Sequence, residues 1–539
     1  MERPNVLILM SDEHRYDVCG FARNTVVRTP NLDRLAEGAV IFDNAYTPSP
    51  VCIPARQCMA AGQYPRTCGV ESFGEDLEPN YRTFARIFSE HGYQTAACGK
   101  LHHLGLDQMQ GWRYRIAGDT EVAVSYYRKQ SGDGEAVYRF DSRLKWDDKK
   151  EILRAGPGDP VHAREDRLTV EGCRNFIHGY FVDSFYDRPK REEPLMLYVG
   201  LRNPHYPYIA SQELFDYYLN RVEPYTNTAP SSHPFLGRCS NCPPLVIGEE
   251  VTMREVKRAM AAYYANVETV DTQFGRILHY LEEAGENLDD WIILYTSDHG
   301  EMLGEHSIWE KQRFYEGSVR VPFFIRYPRR FAPGRCRKNV NLIDIYATLC
   351  ELCGSPAPEG LESRSLTGLL EGRGEDWLDE TISQWGGRNL MIKNGNLKYH
   401  YYGDDGSELL FDLEKDPEEN RDFGREPGYE EQMAYFRRRT MLNLTLKQIA
   451  EALHITEATA QRYECGEIKN IPYEKIVMLA EILQCSPPYL LGWEYLKDLP
   501  PEVERILNYY NQLNEDGKKE AEKQLDNLTL IPKYTETDK

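Results

Sequence analysis

Groups able to hold a cation or an anion stand just past the ends of four apolar runs. Val6–Met10 leads into Ser11-Asp12-Glu13-His14, and Gln94–Cys98 into Gly99-Lys100-Leu101-His102. Leu195–Leu201 leads into Arg202-Asn203-Pro204-His205, and Ile292–Thr296 into Ser297-Asp298-His299-Gly300-Glu301. Carboxylates with an imidazole suit a divalent cation, and lysine with histidine suits an anionic group held against it. Each residue alone has an ordinary alternative. Asp12 is also an N-cap type, Asp298 before His-Gly also reads as a turn, His205 can simply bond a carbonyl, and Lys100 can be a solvated loop charge. Their recurrence at four strand ends favours a site.

Such a site needs a sheet whose strands end on one rim. The four runs, with Phe323–Arg326, alternate with helical patterns at Asn31–Glu37, Thr83–His91 and Arg254–Ala284. That alternation predicts a doubly wound α/β sheet over residues 1–340, where ligands bind beyond the carboxyl ends of the strands. The charged, Gly- and Tyr-rich stretch from Ala117 to Asp166 reads as a looped insertion near the substrate mouth. Residues 341–430 read as a smaller α+β subdomain, with short antiparallel strands at Leu390–Lys393, Leu397–Tyr402 and Glu408–Asp412. From about Tyr429 the pattern is all-helical, with Ile449, Ala450, Leu453, Ile476, Leu479 and Leu483 marking a compact core.

Composition bounds the function. The chain has 539 residues, 64 Lys+Arg against 85 Asp+Glu, and a net charge of -21. That length predicts about three units, and the acidity disfavours a protein that coats nucleic acid or an anionic membrane. No run approaches the ~18–20 apolar residues of a bilayer span. The first apolar run has five residues before Ser11, which reads as a buried strand and not a signal-peptide core, so a cytoplasmic protein is expected. Thirteen cysteines, an odd number, are expected to be reduced. Cys350/Cys353 lies in an amphipathic run and reads as helix core. Cys239/Cys242 reads as incidental thiols ahead of a zinc site.

The segment Cys52-Ile53-Pro54-Ala55-Arg56, followed by Gly62-Gln63-Tyr64-Pro65, resembles the maturation signature of formylglycine-dependent sulfatases of the alkaline phosphatase superfamily. Thr29-Pro30-Asn31-Leu32-Asp33, Gly99-Lys100-Leu101-His102, Pro204-His205-Tyr206-Pro207, Ser297-Asp298-His299-Gly300, Trp309-Glu310-Lys311 and Leu410-Phe411-Asp412-Leu413 agree, over about residues 1–437. Gly-Lys-x-His and Asp107–Trp112 look most like choline-sulfatase-type members.

The resemblance implies an alkaline-phosphatase-like sheet and roles for individual residues. Cys52 would be oxidised by a maturase to formylglycine, whose hydrate attacks sulfur. Asp12, Asp298, His299 and residue 52 would hold a divalent metal, calcium first, with manganese or magnesium as alternatives. Arg56 would stabilise the diol. Lys100, Lys311 and His205 would grip sulfate oxygens, with His102 or His205 protonating the leaving oxygen. Many sulfatases carry a second aspartate where this chain has Glu13, which leaves Glu13 a weak metal candidate. The implied substrate is a small organic sulfate ester. Relatives on this fold hydrolyse phosphate or phosphonate esters, which stay the alternative. Homo-oligomerisation is left open by the sequence.

Leu444–Leu453, His454-Ile455-Thr456 and Glu457–Gly466 read as helix, turn, helix. Arg462-Tyr463-Glu464-Cys465-Gly466 and Tyr489-Leu490-Leu491-Gly492 resemble lambda-repressor-like helix-turn-helix regulators over residues 431–493, with a helical tail at 494–539. The resemblance places Thr456, Glu457, Ala458, Gln461 and Arg462 at DNA and makes a ligand-sensing regulator the other functional class. Residues 440–539 carry 11 Lys+Arg against 17 Asp+Glu, so phosphate contacts would depend on Arg437-Arg438-Arg439. His454 stands at a turn position where glycine is usual in that group.

Overall fold

The computed structural model describes residues 3–119, 148–182, 193–227, 245–403, 406–442, 446–464, 471–483, 485 and 487–490, with isolated residues 517, 521, 523 and 524. The Cys239/Cys242 pair and nearly all of the 494–539 tail lie outside these. The chain divides into one compact unit at Met1–Asn470 and another at Ile471–Lys539.

Among the described residues the larger unit holds a nine-stranded sheet. Its strands are β1 (Asn5–Asp12), β2 (Ala39–Tyr46), β3 (Gln94–Gly99), β4 (Tyr114–Ala117), β5 (Leu195–Pro204), β6 (Trp291–Ser297), β7 (Arg320–Val321), β8 (Phe323–Arg326) and β9 (Gly334–Asn341). The order is β9-β2-β8-β6-β1-β5-β3-β4, with β7 paired to β2. β1 lies between β6 and β5, parallel to both. The expected strand at Phe323–Arg326 runs antiparallel to β6 and β2, so the sheet is mixed.

Period-two alternation in β1 feeds both faces. Val6, Ile8 and Met10 join one core with Phe84 and Phe88 of α3 (Phe84–Glu90), Met59 of α2 (Cys52–Ala61), and Tyr346 and Leu349 of α6 (Asp344–Cys353). Leu7 and Leu9 join the other, with Leu32 of α1 (Pro30–Glu37), Val170 and Ile177 of α4 (Val161–Phe181), and Phe274 and Ile277 of α5 (Met253–Glu283). Each fully buried aliphatic side chain contributes roughly 1.5–3 kcal/mol. The two cores fix the strand register, and the register fixes the rim. Local signals start the helices where the pattern says. Thr83 caps α3, and Thr252 and Glu255 form a reciprocal capping box on α5.

Of the Ala117–Asp166 stretch expected to be an insertion with loops, residues 117–119 and 148–166 are described. Residues 120–147 lie outside the described residues. Beyond them come a short helix at Asp148–Leu153 and then α4, which buries Val170, Cys173 and Ile177 against the sheet. Spacings of three and four place those residues on one helical face, although Gly, Arg and Glu around them blur the pattern.

The smaller sheet is an antiparallel meander of β10 (Glu380–Trp385), β11 (Asn389–Asn394), β12 (Leu397–Tyr402) and β13 (Ser407–Asp412). The helix α7 (Glu430–Leu442) packs on it, with Phe436 stacked on Tyr399 at 5.3 Å between ring centroids. Two of the three arginines on which phosphate contacts were expected to depend are paired within the fold. Arg437 donates to Glu408 at 2.5 Å, and Arg439 is buried on Glu380.

Helices α8 (Leu446–Leu453) and α9 (Glu457–Glu464) follow. His454 between them has φ 51°, the left-handed backbone that glycine would adopt without strain. Thr456 Oγ1 accepts the Thr459 amide at 3.2 Å and starts α9. Thr456 and Arg462 are exposed. Glu457, Ala458 and Gln461 lie on α9, with their side chains outside the described residues. The second unit contains α10 (Tyr473–Ile482). Cys350 and Cys353 are buried free thiols in α6, in keeping with a helix core.

Candidate active site

Register alone brings the strand ends together. Ser11 pairs with Ser297, so Asp12 and Asp298 leave neighbouring strands side by side. Asp12 pairs with Pro204, which puts His205 next to it. Gly99 pairs with Gly200, and Lys100 follows. A Cβ on Gly99 would lie 2.0 Å from the Gly200 carbonyl oxygen, so the β3–β5 approach requires glycine there. A Cβ on Gly300 would lie 2.1 Å from the Gly317 carbonyl, which closes the loop behind His299 in the same way.

The fifth contribution comes from α2. Cys52 is its first residue and Arg56 lies one turn on, so both face the rim. Arg56 Nε donates to Asp298 Oδ2 at 2.8 Å, and its Nη1 donates to Tyr198 Oη at 2.8 Å and the Lys100 carbonyl at 3.0 Å. One guanidinium thus ties the ends of β6 and β3 to Tyr198 inside β5. The Gln312 amide donates to the Pro50 carbonyl at 3.1 Å, bringing the loop that bears Lys311 against the start of α2.

Ligand atoms of Asp12, Cys52, Asp298 and His299 lie within 4.8 Å of one another, and all four residues are buried. His299 Nδ1 lies 3.0 Å from the Gly300 carbonyl, which can only accept. The proton therefore sits on Nδ1, and Nε2 presents a lone pair. That Nε2 and Asp12 Oδ1 are buried without a hydrogen-bond partner. Nε2 stands 3.8 Å from Asp12 Oδ1 and 3.7 Å from Asp298 Oδ1. Two carboxylates and a lone-pair imidazole around a gap of this size fit a divalent cation.

A second set of groups faces the same gap. Lys100 lies on Asp12, and burial pulls its pKa down to about 7. Lys311 Nζ is 2.9 Å from Glu13 Oε2 and 2.7 Å from His205 Nε2, over the Tyr206 ring at 4.7 Å. His205 Nδ1 lies 2.8 Å from the Tyr206 carbonyl, so that nitrogen carries the proton and Nε2 accepts from the Lys311 ammonium. Held neutral by burial and by Lys311, His205 has no proton on the nitrogen that faces the pocket. His102 Nδ1 has no hydrogen-bond partner, and its ring meets Phe73 edge-on at 6.3 Å. Of the two candidate proton donors, His102 is the one with a ring nitrogen to spare.

Burial raises the Cys52 thiol to about 11, so at neutral pH it is a thiol and a poor nucleophile. Asp298 is held far below the carboxylate range by Arg56, His299 and Lys100, against the cost of its burial. All the residues read from the sequence as catalytic or metal-binding thus converge on one rim. Three supporting residues had not stood out. Tyr198 looks like one more apolar member of its strand. Tyr206 follows His205 and reads as packing. Asp119, in a loop, accepts the Leu101 amide at 2.9 Å and the His102 amide at 2.6 Å, and nothing in its sequence neighbourhood marks it.

Comparison with known proteins agrees with this geometry. The Sulfatase family matches residues 4–355, the family described as "N-sulphoglucosamine sulphohydrolase, C-terminal" matches 304–445, and "Helix-turn-helix" matches 437–490. An arylsulfatase of Clostridium perfringens is 30% identical over 463 residues, covering 81% of this chain and 93% of that protein. A choline-sulfatase of Rhizobium meliloti is 31% identical over 443 residues, covering 79% and 83%. Among solved structures, the phosphonate monoester hydrolase of Agrobacterium radiobacter shares the fold, with a TM-score of 0.64 at 23% identity, covering 82% of this chain and 95% of that one. With its four-strand rim, the Cys-x-Pro-x-Arg helix and a family match over most of the chain, the protein belongs to the sulfatase family and carries a C-terminal helix-turn-helix segment.

Proposed function

We propose that this chain hydrolyses a small organic sulfate ester, with residue 52 matured to formylglycine and a divalent cation, calcium first, on Asp12, Asp298, His299 and residue 52. The observation that carries the reading is the convergence on one gap of an unpartnered carboxylate oxygen, an unpartnered imidazole nitrogen, two buried lysines and the first residue of α2.

When bound, the cation supplies positive charge that eases loss of a proton from the nucleophile. Formylglycine at residue 52 would supply, as its hydrate, the hydroxyl nucleophile for sulfur and a second hydroxyl for release of sulfate. The chain's own residues do the rest. Arg56 holds Asp298 and the Lys100 carbonyl in place and faces the nucleophile across the first turn of α2. Lys100 and Lys311 grip sulfonyl oxygens from two sides. His102 moves the proton to the leaving oxygen. Burial and the Lys100 charge hold its ring neutral, and the arriving sulfate's negative charge offsets both.

Lys100, Lys311 and Arg56 face Asp12, Glu13 and Asp298. A divalent cation then leaves two positive charges, which suits an anionic ester of sulfur or phosphorus alike, and the likeness to sulfatases is what favours sulfate. The shared fold keeps phosphonate and phosphate esters as the second reading. A screen of sulfate, phosphate and phosphonate esters, run with a mass measurement of the Cys52 peptide, tests both. Sulfate release with aldehyde at position 52 is expected, and phosphorus-ester turnover with none on sulfates overturns the reading. A cytoplasmic location belongs to the same proposal, and cell fractionation tests it.

The helix-turn-helix match makes duplex DNA the candidate partner of residues 446–464 and is the sole support for a ligand-sensing regulator. Of the three arginines expected to carry phosphate contacts, Arg439 is buried on Glu380 and Arg437 pairs with Glu408 while staying 43% exposed. Binding of labelled duplexes at low salt tests DNA recognition. The geometry favours hydrolysis.

A further inference from the structure

Glu13 follows a metal-site carboxylate directly in sequence and yet belongs to another set of groups. The ligand atoms of Asp12, Cys52, Asp298 and His299 form one close group, and Glu13 is not in it. Among the described residues it joins Asp12 and His205 in a second group. That second seat already holds a cation, since the buried Lys311 Nζ lies 2.9 Å from Glu13 Oε2 and 2.7 Å from His205 Nε2. A metal there would have to displace an ammonium that is already paired.

The backbone explains the direction. Glu13 has φ 63°, its amide donates to Asp298 Oδ1 at 3.1 Å, and its carbonyl accepts the Tyr263 hydroxyl at 2.6 Å. These contacts lock the residue in left-handed backbone at the end of β1. From there a side chain one methylene longer than aspartate reaches the lysine. Lys311 has three donors: one meets Glu13, and one meets the His205 lone pair that the Tyr206 carbonyl has fixed.

We infer that Glu13 is a positioning residue of the anion grip and not a ligand of the metal: its carboxylate holds the Lys311 ammonium against His205, leaving one lysine donor for a sulfonyl oxygen. A flexible four-carbon stem is thereby fixed before the anion arrives, so less ordering accompanies binding. The inference rests on the sulfate-ester reading for the anion's identity.

The test is calorimetric titration of the full-length protein with calcium, and separately with inorganic sulfate. It compares wild type with Glu13→Ala, Glu13→Gln, Lys311→Ala and the Glu13→Ala/Lys311→Ala pair. Calcium affinity of Glu13→Ala is expected to stay within about tenfold of wild type, while sulfate affinity falls about tenfold in each single alanine variant and no further in the double. Glu13→Gln keeps an oxygen acceptor for Lys311. It is expected to retain calcium affinity and to lose less sulfate affinity than Lys311→Ala, and it carries the test if Glu13→Ala does not fold. A calcium loss of more than about tenfold in either Glu13 variant, or sulfate losses that multiply in the double variant, overturns the inference. Wild-type protein that binds no sulfate overturns it as well. Wild-type protein that binds calcium and sulfate but turns over no sulfate ester overturns the proposed reaction alone.

Discussion

The Arg439 guanidinium is buried on the Glu380 carboxylate, with Nη2 2.7 Å from Oε1, so the last turn of α7 is fastened to the first strand of the smaller sheet. Removing one partner leaves the other charge buried and unpaired. Glu380→Ala is therefore expected to cost about 3–5 kcal/mol, measured by urea unfolding. Truncation after residue 430 should lose the smaller sheet's packing, while truncation after residue 442 should keep it. Equal stability of the two truncations would refute the docking. The two family matches overlap at residues 437–445, of which 437–442 belong to this helix.

Arg56 makes one forked set of bonds to Asp298, Tyr198 and the Lys100 carbonyl. A lysine cannot reproduce the fork. Arg56→Lys is expected to lower kcat about 100-fold with a smaller change in KM, measured on an aryl sulfate. A loss confined to KM would place Arg56 in substrate binding.

The partners of their ring nitrogens divide the two histidines. His102→Ala should slow an alkyl sulfate, whose leaving alkoxide needs a proton, by about 100-fold or more, and 4-nitrophenyl sulfate far less. His205→Ala should raise KM for both alike. A steeper leaving-group dependence in His205→Ala would reverse the assignment.

His14, His103 and His306 are buried, and burial lowers each to about 4 from an ordinary 6.5. The unfolded chain therefore binds protons that the folded chain refuses between about pH 6.5 and 4. The contribution of these three rings to stability is intact above that window and falls as pH drops through it, by up to about 1.4 kcal/mol per pH unit for each. Buried Asp76, Asp271 and Glu419, raised to about 7, 6 and 7, act in the opposite sense. Histidine ring NMR signals of the folded protein followed from pH 7 to 4 check the rings directly, and titration of all three near 6.5 would show that they accept protons in the fold.

Much of the site was legible because its strands are buried on both faces. Val6–Met10 and Ile292–Thr296 are unbroken apolar runs that stop abruptly at charge, so both the strand and its functional end stand out. Gly334–Asn341 does not stand out. Its sequence GRCRKNVN is polar and half exposed, and it is a strand through backbone pairing to β2. Ala39–Tyr46 hides behind Asp43 and Asn44, and Glu380–Trp385 lacks a clean alternation. The identities of Asp12, Glu13, Lys311 and His205 were readable, but their partners were not. Which oxygen meets which nitrogen depends on the left-handed turn at Glu13 and on the Tyr206 carbonyl, both consequences of tertiary packing.

The central claim is that residue 52 performs the hydrolysis. Its most direct test is sulfate release from 4-nitrophenyl sulfate by protein co-expressed with a formylglycine-generating maturase, wild type against Cys52→Ala. Turnover by wild type and a loss of about 1,000-fold or more in Cys52→Ala are expected, with calcium binding largely kept by Asp12, Asp298 and His299. Equal rates for the two proteins would contradict it.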